Sequence, residues 1–143
     1  MEYKLFIIPI IVMLLNQIIK MVVEASQGKW TWMSVFSYGG MPSSHASIVV
    51  SLATVMGYYQ GIDSPEFAIT VILALLTMRD ATGIRWHMGN QGRAINRLIK
   101  ELPDQKEYKF PVLGERFGHK NTEVAVGTIV GLILTGIIIS VWS

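Results

Sequence analysis

The feature that most restricts how this chain can fold is the length and placement of its apolar runs. Leu5 to Val23 and Thr122 to Trp142 each have about the length needed to cross a hydrocarbon core of ~30 Å. Between them lie two further apolar segments, Ala46 to Tyr59 and Glu66 to Ile84, parted by the turn Gln60-Gly61-Ile62-Asp63-Ser64-Pro65, where Pro65 is placed to start a helix. In lipid the backbone must satisfy its own polar groups, so such segments are read as helices. The expected fold is all-α: a polytopic membrane bundle of four transmembrane helices forming one domain over residues 1–143. Composition agrees, with 51% hydrophobic and only 15% charged residues and a mean hydropathy of +0.43. The absence of cysteine excludes disulfides, thiolate nucleophiles and cysteine metal sites.

The first run could be a cleaved leader, since Val23-Glu24-Ala25 resembles a small-residue cleavage site. Asn16, Gln17 and Lys20 interrupt it, however, and its charged head is only Glu2 and Lys4, so a retained helix is expected. Lys20 has two readings, a side chain snorkelling to the interface or one facing a polar pocket. Arg79 and Asp80 near the end of the third run either lie among headgroups or serve a function, because ionisable groups are costly in a membrane segment. From Trp86 to Leu102 the pattern changes. Ile95, Leu98, Ile99 and Leu102 recur at helical spacing with Arg93, Arg97 and Lys100 between them, which predicts an amphipathic interfacial helix. Gly127-x-x-x-Gly131 in the last run predicts a face for close helix packing, as do Ala46, Val50, Ala53 and Gly57 in the second.

Charge sets an orientation. Residues 79–120 hold nine of the twelve Lys and Arg, and the turn at 60–65 holds none. The positive-inside tendency then puts the long basic loop in the cytoplasm and both termini outside. With that topology Lys20, Ser43, Ser44, His45, Asp80, Arg85 and His119 all fall at the cytoplasmic ends of their helices. Anionic headgroups account for a juxtamembrane basic cluster, so no nucleic-acid partner is inferred.

Two stretches at that end carry chemistry. Gly39-Gly40-Met41-Pro42-Ser43-Ser44-His45 is a polar, glycine-rich entry into the second run. Pro42 suits a first helical turn, the N–H groups that follow make an anion site, and His45 can deliver a proton near neutral pH. The bland alternative is a capped helix that happens to contain a histidine. Gly118-His119-Lys120-Asn121-Thr122-Glu123 opens the last run, with His119 and Glu123 four apart, so a carboxylate can orient an imidazole. A zinc set of His45, His87 and His119 has no recognisable ligand spacing.

Taken together, GGMPSSHAS, DATGIR and GHKNTEVAVG resemble the divergent branch of the type 2 phosphatidic acid phosphatase superfamily, relatives of the vanadium haloperoxidases. That superfamily carries K-x6-R-P, P-S-G-H and S-R-x5-H-x3-D. Pro42, Ser43, Ser44 and His45 match the second motif with serine for glycine, while His119 and Glu123 match the end of the third with glutamate for aspartate. The resemblance implies that His119 is the nucleophile, Glu123 orients it, His45 protonates the leaving oxygen, and Ser43 and Ser44 hold phosphoryl oxygens. No Arg-Pro follows Lys20 and no Ser-Arg precedes His119 at the family spacing, so Lys20 and Arg85 stand in as phosphate-binding cations, with Asp80 orienting and Arg79 a second choice. The implied activity is hydrolysis of a lipid phosphomonoester or diphosphate without metal or other cofactor, by an integral protein of a bacterial plasma membrane. A non-catalytic protein that binds or moves anionic lipids and a vanadate-dependent oxidant enzyme are the alternatives. A homo-oligomer is also open, because four spans in so short a chain leave packing faces exposed.

Overall fold

A computed structural model describes residues 2–28, 41–102, 110–114 and 120–142, and among the described residues all regular structure is helical. The helices are α1 (Glu2–Ser26), α2 (Ser44–Tyr59), α3 (Pro65–Thr82), α4 (Ile84–Glu101) and α5 (Asn121–Trp142). The apolar runs thus become helices with ends displaced by a few residues. A helical membrane bundle is what they build.

One expectation changes in detail. Among the described residues, three helical stretches are long and apolar enough to cross a bilayer: Tyr3–Ser26, Pro65–Glu101 taken through the α3–α4 junction, and Asn121–Trp142. The second run is shorter. At 16 residues α2 is roughly 24 Å long, less than a hydrocarbon core. Its position explains why it need not be longer: α2 packs against α1, α3 and α5 and forms the centre of the bundle.

Small residues permit that central position. A Cβ on Gly127 would lie 2.5 Å from the Ser43 carbonyl oxygen, and one on Gly131 would lie 2.8 Å from that of Ser47, so α5 crosses α2 backbone to backbone as the glycine spacing predicts. Farther along this seam the buried Ser51 and Thr135 hydroxyls are hydrogen-bonded at 2.7 Å. Toward α3, Gly57 faces the Phe67 ring, which a Cβ would meet at 2.9 Å. The α2–α3 turn closes through Gly61 at φ 93, a conformation that glycine adopts without strain. Ser64 then caps α3 by accepting from the Phe67 N–H at 3.1 Å, with Pro65 in the first turn.

The bundle has two unlike ends. At one, Ile8, Val12, Val55 and Ile139 form a dry cluster, and Lys4 donates to the Trp142 carbonyl with its ammonium 6.0 Å from the Tyr59 and Trp142 ring centres. At the other, Ala46, Ala81 and Val124 bring together the start of α2, the end of α3 and the start of α5. α4 contacts only α3 among the described helices and leaves the bundle at Gly83. Its apolar stripe is solvent- or lipid-facing in this chain, with Ile95, Leu98 and Leu102 all exposed, as an interfacial helix requires. Gly89 and Gly92 are buried, and Gly92 does more than weaken the helix. A Cβ there would lie 2.5 Å from the Gly114 carbonyl oxygen, because residues 110–114 run across this face. Asn96 clamps them, donating to the Leu113 carbonyl at 2.8 Å and accepting from the Leu113 N–H at 3.0 Å.

Candidate functional site

The polar end is built around the start of α2. Pro42 lies outside the helix rather than in its first turn. Ser43 is the N-cap, accepting from the Ala46 N–H at 3.4 Å, and the Met41–Pro42 bond is cis. A serine hydroxyl can satisfy an orphan N–H of the first turn, which proline cannot, and this moves the helix start two residues along. Ser43 is fully buried, and its own N–H donates to the Glu123 carbonyl at 3.2 Å, tying the start of α2 to the first turn of α5. Two helix N-termini, each carrying partial positive charge, therefore meet at this end.

α1 supplies the remaining wall. Lys20 is 4% exposed, so its side chain lies inside the bundle rather than snorkelling to the interface. Glu24 and Glu123 are the acidic groups that act on it. One turn earlier Asn16 is fully buried and donates to the Pro42 carbonyl at 3.3 Å and to the Ser44 hydroxyl at 3.2 Å. Ser44 in turn donates its own O–H hydrogen bond to Gln17 Oε1 at 3.0 Å. Asn16 and Gln17 belong to this polar end, though the sequence presented them only as interruptions of an apolar run. The signal was the spacing of Asn16 and Lys20, which puts two polar side chains on one face of a membrane helix.

His45 is half-buried on the first turn of α2. Glu123 is half-buried at the third position of α5, where Oε2 accepts from the Lys120 N–H at 3.2 Å, the return arm of a capping box. On the last turn of α3, Arg79 is exposed and Asp80 half-buried, the divergence expected of neighbours about 100° apart on a helix. Asp80 adjoins Ala81, which packs against Ala46 at the start of α2. Arg85 belongs to the first turn of α4, past Gly83. His119 lies outside the described residues, two positions before the start of α5. The end that gathers Lys20, Ser43, Ser44, His45, Asp80 and Glu123 is thus one end of one bundle.

A family described as the divergent PAP2 family matches residues 1–134 of this chain. The chain belongs to the divergent PAP2 family. A relative described as the uncharacterized membrane protein YuiD of Bacillus subtilis (strain 168) is 41% identical over 118 residues, covering 75% of each chain. No solved structure matches the chain. Family membership fits an integral membrane protein, and the helical bundle agrees with it.

Proposed function

We propose that this divergent PAP2 protein hydrolyses a lipid phosphomonoester or diphosphate at the cytoplasmic face of the membrane. The observation that carries the reading is the tie between the Pro-Ser-Ser-His start of α2 and Glu123 of α5, with buried Lys20 beside them. Phosphoryl transfer needs fixed positive charge around the equatorial oxygens and an in-line nucleophile and leaving group. Two helix starts and the Lys20 ammonium offer that charge at one place. Arg85 is the further cation, Asp80 an orienting carboxylate, and Arg79, facing outward, the weaker candidate.

In the proposed reaction a ring nitrogen of His119 attacks phosphorus, and the bond from phosphorus to the lipid oxygen breaks. His45 gives its proton to the departing alkoxide. Water then attacks the phosphohistidine, His45 takes up its proton, and phosphate leaves with His119 restored. Glu123 caps its own helix through Oε2, and its second oxygen is the one assigned to the imidazole N–H of His119. Ser44 is assigned a narrower role than its motif position implies. With its O–H donated to Gln17 in a hydrogen bond it anchors α2 to α1, and the phosphoryl oxygens fall to backbone N–H groups and Lys20.

The decisive experiment is phosphate release from detergent-purified protein supplied with a panel of lipid phosphates in excess chelator, with and without vanadate. Release that survives chelation and stops with vanadate is expected. A protein that binds phosphate and releases none from any lipid is a binder, and the hydrolytic reading fails.

A further inference from the structure

The Asn16 amide has two N–H donors and one acceptor oxygen. Both donors are used, on the Pro42 carbonyl and the Ser44 hydroxyl. The Pro42 carbonyl can only accept, which fixes the nitrogen on that side and leaves Oδ1 as the remaining atom. Asn16 is fully buried, and Oδ1 has no hydrogen-bond partner among the described residues. A buried acceptor without a donor is costly, and such atoms in native proteins call for an explanation.

Its surroundings suggest one. Lys20 follows one turn later on the same buried face of α1, and the amide itself is bonded to the two residues flanking the cap of α2. An anion held by the ammonium and the helix start would set an oxygen against Oδ1, and two acceptors repel unless one brings a proton. A phosphoryl group bearing a P–OH meets both demands, as an anion for Lys20 and a donor for Asn16.

Resting on the phosphatase reading of this end, we propose that Asn16 is its specificity-determining residue, accepting a hydrogen bond from the P–OH of a singly protonated terminal phosphoryl group. A phosphodiester has no such proton, and a phosphomonoester loses it above a pKa of about 6. Among the described residues, the charged and titratable groups at this end of the bundle are Lys20 and Glu24 on α1, His45 on α2, Asp80 and the exposed Arg79 on α3, Lys120 just before α5 and Glu123 in its first turn.

The test is calorimetric titration of the purified full chain in detergent with inorganic phosphate and with sulfate, which has the same shape and no proton at neutral pH. Phosphate should bind more tightly by about 5- to 150-fold, the range set by leaving one buried acceptor unpaired. Asn16→Leu should collapse that ratio to near one. Equal binding by the wild-type protein, or an unchanged ratio in the variant, overturns the proposal. Asn16→Leu also removes the bonds to Pro42 and Ser44, so a second measurement stands without it. In His119→Ala, affinity for dioctanoyl phosphatidic acid should fall as pH rises from about 5 to 8, while affinity for inorganic phosphate, which keeps a P–OH throughout, should not follow it. Titration of His45 would move both ligands together, and parallel profiles overturn the proposal. Discrimination without phosphate release from any lipid would sink hydrolysis and spare Asn16; release without discrimination would do the reverse.

Discussion

At the scale of single residues, the two histidines have unequal tasks, and their variants should differ. His119→Ala should lose turnover on every substrate, since no other group is assigned to bond phosphorus. His45→Ala should lose about 10²–10⁴-fold on lipid phosphates, the usual worth of a general acid, and recover much of that on nitrophenyl phosphate, whose leaving group needs little protonation. Steady-state rates on both substrates decide it, and rescue of His119→Ala instead would reverse the roles. Lys20→Met should weaken phosphate binding by about ten- to a hundredfold, the worth of a hydrogen bond to a charged group, with the unfolding temperature retained. An unaltered dissociation constant in calorimetry would remove Lys20 from the site. Lys20 stood out in the sequence because an ionisable group in an apolar run is expensive and therefore conspicuous, whereas the two histidines were singled out by the motifs that hold them. Asn16 was not, since an uncharged amide in a membrane helix is less conspicuous than a charge, and its partner, Pro42, is distant in the chain.

At the scale of helices, the glycines of α5 divide into those that pack and those that do not. Gly127 and Gly131 press on the α2 backbone, whereas a Cβ on Gly136 would meet nothing within 4 Å. Gly127→Val or Gly131→Val should therefore destabilise the bundle by about 1–3 kcal/mol, the usual cost of overpacking. Gly136→Ala should leave the thermal unfolding midpoint in detergent unchanged or higher. A uniform response across the three would mean that α5 does not cross α2 in this way. The helices of the apolar runs followed from run length, and the α2–α5 glycine face and the α4 stripe from periodicity. Two details did not. Serine hydroxyls displaced proline from the start of α2, and Asn96 pairs with the Leu113 backbone 17 positions away, a contact with no periodic trace.

For the whole molecule, the polar end and the α2–α3 turn lie at opposite ends of the bundle, so single cysteines at Ser64 and at the 89% exposed Val112 should react with impermeant reagents from opposite sides of the membrane, Val112 from the cytoplasm. Reaction of both from one side would refute the topology. The clustering of charge at one end was readable from loop composition; the enclosure of a 16-residue helix was not, because its shortness makes sense only once three neighbours surround it. That enclosure bears on how the protein is made. α2 leaves the ribosome second, yet Ser51 finds Thr135 and the Ser43 and Ser47 backbone finds its glycines only when the last helix arrives. A nascent chain must therefore hold a short, serine-bearing helix at the insertion machinery until α5 has been made, and a chain stopped after Gly114 should be cleared by membrane proteases rather than accumulate as a fragment of the four helices α1 to α4.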